Sequence, residues 1–594
     1  MRNDTLVHRI ARWARERPDT PSLHDRVGDD WAPITWSGYW TAVRETAKGL
    51  IALGHEPGDC VAIVGNNQSQ WVIAQFGIMA ARGIPAPIYV TNTAEQMAYI
   101  VSHSRSRLAF VGEEDHLEKF RQGQAQGLFE LDEILTLNDL DRELRTLEGL
   151  RALGREQDDA ELDARLEAMT DTEVALLIYT SGTTGVPKAV TLDHRGMLMC
   201  GEGVVSRFPD LAEFAESYRV VCYLPLCHVA EQVFTNLMQL STGGMVFFCP
   251  DLTQIKDYLV SVKPTIFLGV PRVWEKFQAV LEGKLSAQTG VKGWLTGWAL
   301  RTELAAFKQE CETGEPVDTF SRRWANKLVI SKVKEALGLQ DLAAAATGAA
   351  PIGLETLDFF ASLGITVYEG YGMSETTGVA TCPEAGRPRF GTVGKALPGV
   401  EIRIADDGEV LMRGENMTRA YLHMPDKTAE LLDTQGWLHS GDLGSLDDDG
   451  YLRITGRKKD LIITSGGKNV APIELESYLK TIVGVGQAVV VGDRQPYLCA
   501  LLTLDPEALP VLRSKLGIEG DLAELAAHPK VLEYLESQLD TRCNVKVARY
   551  QTIKKIKVLA TEFSVESGEL TPTMKLKRNV VGERYAAEIA GFYV

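Results

Sequence analysis

The stretch Tyr179-Thr-Ser-Gly-Thr-Thr-Gly-Val-Pro-Lys188 gathers small hydroxyl side chains, glycines and a lysine into one turn. Such a turn suits phosphate. Gly182 and Gly185 permit positive φ and close backbone approach, Ser181, Thr183 and Thr184 offer hydroxyls, and Lys188 supplies a positive charge. The spacing is not that of a Walker loop, which has four residues between its glycines and ends Gly-Lys-Ser/Thr. Here two residues separate Gly182 from Gly185 and Pro187 precedes the lysine. Taken alone, the turn also reads as chain punctuation. Two other segments come close to catalytic motifs and miss. Gly372-Met-Ser-Glu-Thr376 has Thr where a nucleophile elbow needs its second Gly, which disfavours a serine hydrolase. His228-Val-Ala-Glu-Gln232 has Gln where an inverted zinc motif needs its second His, which excludes zinc there.

These residues need elements to hold them. The apolar run Val174-Ala-Leu-Leu-Ile178 predicts a buried strand, so the hydroxyl-rich turn should leave its carboxyl end, where open α/β sheets bind ligands. Gly58-Asp-Cys-Val-Ala-Ile-Val64 predicts a strand and 71–82 a helix, an alternation that implies a largely parallel, helix-covered sheet. Residues 113–171 are strongly charged and predict surface helix and linker. Further strands are expected at 220–224, 245–248 and 265–268, a long helical stretch at 272–340, and a β-rich subdomain at 393–457, where glycines recur between short β-type runs. The charge pattern changes at Arg457-Lys-Lys-Asp460. The expected fold class is therefore α/β: a large amino-terminal domain, 1–458, of helix-covered sheets plus the β-rich subdomain, and a small mobile α+β domain, 459–594.

Composition limits the function classes. At 594 residues the chain exceeds what one core usually organises, and 45% hydrophobic with 24% charged residues is ordinary for a soluble globular protein. A net charge of -18 argues against a nucleic-acid partner and against more than weak peripheral attraction to a membrane. Nine cysteines without a Cys-x-x-Cys pair fit a reducing, cytoplasmic setting. The amino terminus does not read as a secretory signal, and no window supplies the roughly 18 apolar residues that a membrane span needs. Nine Lys or Arg stand against three Glu over 542–578, a basic patch that is either a solvated face or a docking surface for CoA phosphates.

Further segments occur in order along the chain: Pro225-Leu-Cys-His228, Tyr368-Glu-Gly-Tyr-Gly-Met-Ser-Glu-Thr376, Gly436-Trp-Leu-His-Ser-Gly-Asp442, Gly456-Arg-Lys-Lys-Asp460 and Pro572-Thr-Met-Lys-Leu-Lys-Arg578. With the 179–188 turn they make the chain similar to the acyl-adenylate-forming enzymes: acyl-CoA synthetases, firefly luciferases and peptide-synthetase adenylation domains. Within that superfamily it most resembles bacterial long-chain fatty acyl-CoA synthetases, to which the segment 269–276 and the helical insertion after it also point.

The resemblance implies a ligase that makes acyl-AMP from ATP and a fatty acid and then acyl-CoA and AMP, with Mg²⁺ as cofactor and CoA as co-substrate. It implies a cytoplasmic enzyme, at most peripheral at the inner membrane, and admits a homodimer. A fatty acyl-AMP ligase serving a carrier protein and a medium-chain or aryl acid–CoA ligase stay open. The loop from Thr180 to Lys188 would hold the β- and γ-phosphates, with Thr183 and Glu375 placing Mg²⁺. Gly348-Ala349 and Tyr371-Gly372 would enclose adenine, with Thr376 beside them in the same motif. Asp442 and Arg457 would hold the ribose. His228 would sit beside the carboxylate pocket. Lys575 would bridge carboxylate and phosphate, although Met574 stands where relatives often have Gly and Lys577 is a rival. Lys459 would be the hinge about which the small domain turns, carrying Gly466 toward a pantetheine tunnel.

Overall fold

A computed structural model describes residues 4–180, 186–213, 218–564, 567–571 and 575–594. The amino-terminal part is α/β throughout. Five parallel strands lie in the order Ile84–Pro87, Cys60–Val64, Leu108–Val111, Glu133–Thr136 and Arg145–Thr146. Every residue of Cys60–Val64 is buried, the pattern of a central parallel strand covered on both faces. The helix Ser69–Ala80 that follows is buried almost all round, through Trp71, Val72, Ile73 and Phe76 on several of its faces, and so lies inside the domain. The next helix, Ala94–Ser104, starts at a capping box in which Thr93 and Gln96 satisfy each other's backbone N–H.

The region 113–171 differs from its sequence reading. It contributes helices as expected, but also Glu133–Thr136 and Arg145–Thr146, which extend the parallel sheet. Four and two residues are too short to show a period in so charged a segment; pairing with Leu108–Val111 decides their state.

A second sheet orders Arg219–Cys222, Met245–Phe248, Pro21–Val27 and Asp30–Thr35. A third sets Ile266–Leu268, Ala344–Thr347 and Val367–Glu369 in parallel. Four antiparallel strands, Val400–Ile404, Glu409–Gly414, Leu438–Leu446 and Leu452–Arg457, form the β-rich part expected over 393–457. Helices Pro271–Ser286, Gly290–Thr313 and Phe320–Ala325 occupy the stretch expected to be helical.

Beyond residue 458 the chain builds separate cores. One gathers Ile462, Leu475, Leu502, Leu535 and Ile556, another Val489, Leu501, Phe563 and Phe592. Neither includes a residue from the amino-terminal side, whose largest core runs from Leu6 to Leu452. The seam between the parts carries ion pairs: Arg272–Asp505 at 2.8 Å, Lys276–Glu507 at 2.6 Å, and Glu355 with Arg542 and Lys546, both at 3.2 Å. Because each side has its own apolar core, residues 459–594 expressed alone should fold. We expect a cooperative thermal transition by circular dichroism; a broad, featureless melt would show that the small part needs the large one.

Candidate active site

The strand Val174–Thr180 forms as its apolar run predicts. It does not lead into a helix. It turns back into Lys188–Asp193 as an antiparallel hairpin, with Thr180 opposite Lys188. Ser181, Gly182, Thr183, Thr184 and Gly185 lie outside the described residues. Tyr99 Oη donates to Pro187 O at 2.9 Å, fixing one shoulder of the turn.

Lys188 opens the returning strand. Its Nζ lies 4.5 Å from the ring centroid of Tyr421, whose hydroxyl donates to Glu375 Oε1 at 2.6 Å. Burial pulls the Lys188 ammonium below its ordinary pKa; Glu375 opposes this and the nearby Lys459 adds to it. Glu375 is buried on the short turn Ser374–Thr376, and its carbonyl accepts from Thr418 N–H at 2.7 Å. Among the described residues nothing bonds its other carboxylate oxygen, and no three His, Cys, Asp or Glu side chains cluster to enclose a metal. One held carboxylate with a free oxygen suits Mg²⁺, which keeps several waters and takes one or two carboxylates plus substrate phosphates. Thr376 differs from its expected place: it is wholly buried, with its hydroxyl bonded to Met373 N and O at 2.9 and 3.0 Å. It shapes the turn that presents Glu375 rather than facing the cleft.

The residues expected to enclose adenine lie where the third sheet ends. Gly348 and Ala349 follow Ala344–Thr347; Tyr371 and Gly372 follow Val367–Glu369. A Cβ on Gly348 would meet Gly370 O at 3.1 Å, and one on Gly372 would lie 1.8 Å from Gly378 O, so Gly372 admits no side chain. Ala349 takes a positive φ of 68°, a strained backbone for a non-glycine residue and one typical of functional turns.

Asp442, 5% exposed, accepts from Tyr371 Oη at 2.7 Å on Oδ2 and from Arg457 Nε at 2.6 Å on Oδ1. Asp442 and Arg457 are register partners on adjacent antiparallel strands, which is why residues 15 apart in sequence meet. A carboxylate can accept about four hydrogen bonds, so two such partners leave capacity for sugar hydroxyls.

The small part enters this cleft through Lys575. The residue is held in a tight loop by Thr571 N–H donating to its carbonyl at 2.8 Å and by the bridge between Leu570 and Leu576. Burial of its ammonium lowers its pKa first and Arg457 adds to the lowering, while Asp442 and Glu375 resist it. The same ammonium, after burial, depresses His228. Four cleft residues of the large part therefore sense Lys575. The Lys577 N–H donates to Glu569 O at 2.7 Å, and the residue precedes the helix Arg578–Arg584.

Lys459 lies in the turn Lys458–Asp460 between two anchored neighbours. Lys458 grips Asp407 at 2.5 Å and Glu409 at 3.2 Å in the large part, whereas Asp460 faces Arg578 at 3.8 Å in the small part. Gly466 sits at an exposed turn between Ile462–Ile463 and Asn469–Val470, and the described residues do not bring it to the cleft in this arrangement.

Two participants escaped the sequence. Tyr421 links Lys188 to Glu375, and its only signal is a tyrosine in an unremarked Ala-Tyr-Leu stretch. Glu231, 2% exposed, accepts from Leu224 N–H at 3.2 Å and Thr235 Oγ1 at 2.5 Å, so it ties down the 224–228 turn that carries His228. Burial pushes its carboxyl up to about 7.

The family profile of AMP-binding enzymes matches residues 10–422, and that of the AMP-binding enzyme C-terminal domain matches 459–594. Long-chain-fatty-acid–CoA ligase FadD15 of Mycobacterium tuberculosis is 35% identical over 599 residues, covering 100% of this chain and 97% of that protein. Long-chain-fatty-acid–CoA ligase ACSBG2 of Homo sapiens is 33% identical, covering 96% and 90%. Among solved structures, the A-PCP didomain of carboxylic acid reductase from Segniliparus rugosus in complex with AMP shares the fold with a TM-score of 0.76 at 19% identity, over 100% of this chain and 82% of that one.

Burial first, and then Lys575, pushes the His228 imidazole down to about 3, and its Nδ1 accepts from Ala230 N–H at 3.2 Å, which leaves the ring proton on Nε2. The ring should stay neutral over about pH 5–8, the range in which an ordinary histidine titrates. Nitrogen chemical shifts of His228 constant over that range are expected; a midpoint near the ordinary value would place the ring in a wetter, more distant site.

Proposed function

The chain belongs to the AMP-binding enzyme family, and from that membership and the cleft we propose that it is an AMP-forming long-chain fatty acid–CoA ligase. The observation that supports the reading is that the Lys575 ammonium, from the carboxyl-terminal part, is within electrostatic reach of Glu375, Asp442, Arg457 and His228 of the large part. Full-length relatives named as long-chain-fatty-acid–CoA ligases support the substrate class. The family supports ATP as the nucleotide.

In the first half-reaction a carboxylate oxygen of the fatty acid attacks the α-phosphorus of ATP, and the bond from that phosphorus to the bridging oxygen of pyrophosphate breaks. Gly348, Ala349, Tyr371 and Gly372 would seat adenine, and the Tyr371 hydroxyl, fixed by Asp442, sets the plane of its ring. Asp442 and Arg457 would hold the ribose. The turn from Thr180 to Lys188 would hold the β- and γ-phosphates. Mg²⁺, when bound by Glu375 with Thr183, would offset charge on the phosphate oxygens. Tyr421 keeps the Glu375 carboxylate aimed, and Lys188, stacked on the same ring, stays near it. Lys575 would pair with the carboxylate and the phosphoryl oxygens as charge shifts between them, a positioning and electrostatic role. Neutral His228 would line the carboxylate's approach.

In the second half-reaction the CoA sulfur, having lost its proton, attacks the acyl carbonyl carbon and AMP leaves. Lys575 then occupies space that the thiol needs. Rotation at Lys459 would withdraw it and bring Gly466 forward, the two-state hinge behaviour expected of separately packed parts. The anchoring of Lys458 to one part and Asp460 to the other supports a pivot between them. The domain division at 458/459 belongs to this same reading.

Glu375→Gln should lower fatty-acid-dependent pyrophosphate release about 10²-fold or more, the scale for loss of a transition-state stabiliser. Unchanged release would remove Glu375 from the site. Assays across acyl chains, with and without CoA, test the substrate class. Lys575→Ala should abolish acyl-AMP formation yet still convert supplied acyl-AMP and CoA to thioester. Lys459→Pro should do the reverse, because the ring fixes φ near about -65° and blocks the torsion change. Parallel, modest losses in both steps for either variant would defeat the alternation.

A further inference from the structure

Gln232 is the residue that spoils the inverted zinc motif, and nothing in the proposed catalysis uses it. Its surroundings give it a task. It opens a π-helical turn, Gln232–Leu237, directly after the short helix Val229–Glu231 that His228 caps. Such widened turns are rare and recur at functional sites.

Gln232 is 0% exposed, as is Gln75 on the buried helix Ser69–Ala80, and Asn236 is 1% exposed. Three amides share one interior site. Gln232 Nε2 donates to Gln75 Oε1 at 2.8 Å and Gln75 Nε2 returns a bond to Gln232 Oε1 at 3.1 Å, while Asn236 Nδ2 donates to the same Oε1 at 2.7 Å. The fourth bond leaves the cluster: Gln232 Nε2 donates to Leu226 O at 2.6 Å. A glutamine side chain has two N–H donors and two acceptor lone pairs, so Gln232 is fully used, and its amide cannot be turned over because Leu226 O only accepts. Asn236 leaves its own Oδ1 without a partner among the described residues. Apolar side chains would fill this interior without burying amides, so packing alone does not account for the cluster.

The bond to Leu226 lies two residues before His228. Glu231 already holds Leu224 N–H, and Asn67 Nδ2 donates to Leu224 O at 2.8 Å. His228 N–H donates to Pro225 O at 2.9 Å, and Gln232 N–H donates to His228 O at 3.2 Å. The turn is thus fixed at both ends and, through the Gln232 side chain, in its middle. We propose that Gln232, locked by Gln75 and Asn236, is a positioning residue for His228: it fixes the Leu226 carbonyl and with it the direction and the Nε2-protonated form of the imidazole. The role rests on the reading of His228 as a wall of the carboxylate pocket. Gln232 acts through the turn and not on the substrate.

The test uses the full-length enzyme with nitrogen-labelled histidine, the His228 signals being those absent from His228→Ala. In the parent the two ring nitrogens should show the well-separated shifts of one Nε2-protonated tautomer. In Gln75→Leu/Gln232→Leu/Asn236→Leu, which removes the amides together so that none stays buried and unpaired, they should move toward the averaged shifts of two tautomers. The value of kcat/KM for the fatty acid in pyrophosphate release should fall about tenfold to 10²-fold, the scale for a misplaced reacting group, with KM for ATP unchanged. A cluster that serves stability only would lower the melting temperature and leave the tautomer and kcat/KM alone, and that result overturns the proposal. So does an equal rise in both KM values. Gln232→Met, close in volume, gives the same readouts should the triple variant fail to fold. His228→Ala separates this role from the reading it rests on. Pyrophosphate release equal to the parent's would remove His228 from the reaction and Gln232 with it, whereas an impaired His228→Ala beside an unaffected triple variant overturns the role of Gln232 alone.

Discussion

One buried carboxylate holds the cleft together. Asp442 accepts from Tyr371, at the end of the third sheet, and from Arg457, at the end of the antiparallel sheet, so two separately folded layers share a fixed point. An unpaired carboxylate at that depth would carry a large desolvation penalty, and both partners are needed to offset it. The consequence reaches beyond the pair. Arg457 is the last residue before the turn that joins the two parts, so the same carboxylate that fixes Tyr371 also sets where the carboxyl-terminal part departs.

Much of this was legible because the chemistry is local in sequence. The hydroxyl-rich turn, the Tyr371–Glu375 segment and the glycine before Asp442 combine small residues with a few polar ones, and few structural needs produce that mixture. Long helices and fully apolar strands, such as Cys60–Val64, also declared themselves by period and burial. What sequence did not show depends on pairing across distance. Tyr421 is 46 residues from Glu375, and nothing in its neighbours announces that its hydroxyl meets that carboxylate. The short strands at 133–136 and 145–146 exist only because a longer neighbour templates them. The return of the chain after Thr180 as a hairpin is a matter of register between Val174–Thr180 and Lys188–Asp193 that composition does not encode. Thr376 shows the converse: a motif position whose hydroxyl is engaged within its own turn.

Charge behaves similarly. Read as a total, -18 says the surface is acidic; read along the chain, the basic run over 542–578 lies against that background as a local exception. Screening makes the local arrangement, not the sum, the quantity a ligand or surface meets.

The seam between the two parts has a further implication. Ion pairs between partly exposed side chains cross it beside the close approach of Gly456 to Ala471, whereas the cores on either side are apolar and closed. Dissolved salt weakens the first kind of contact and leaves the second nearly untouched. The strength of that seam therefore depends on the ionic composition of the surrounding fluid as well as on the polypeptide. Loosening it costs neither core its packing.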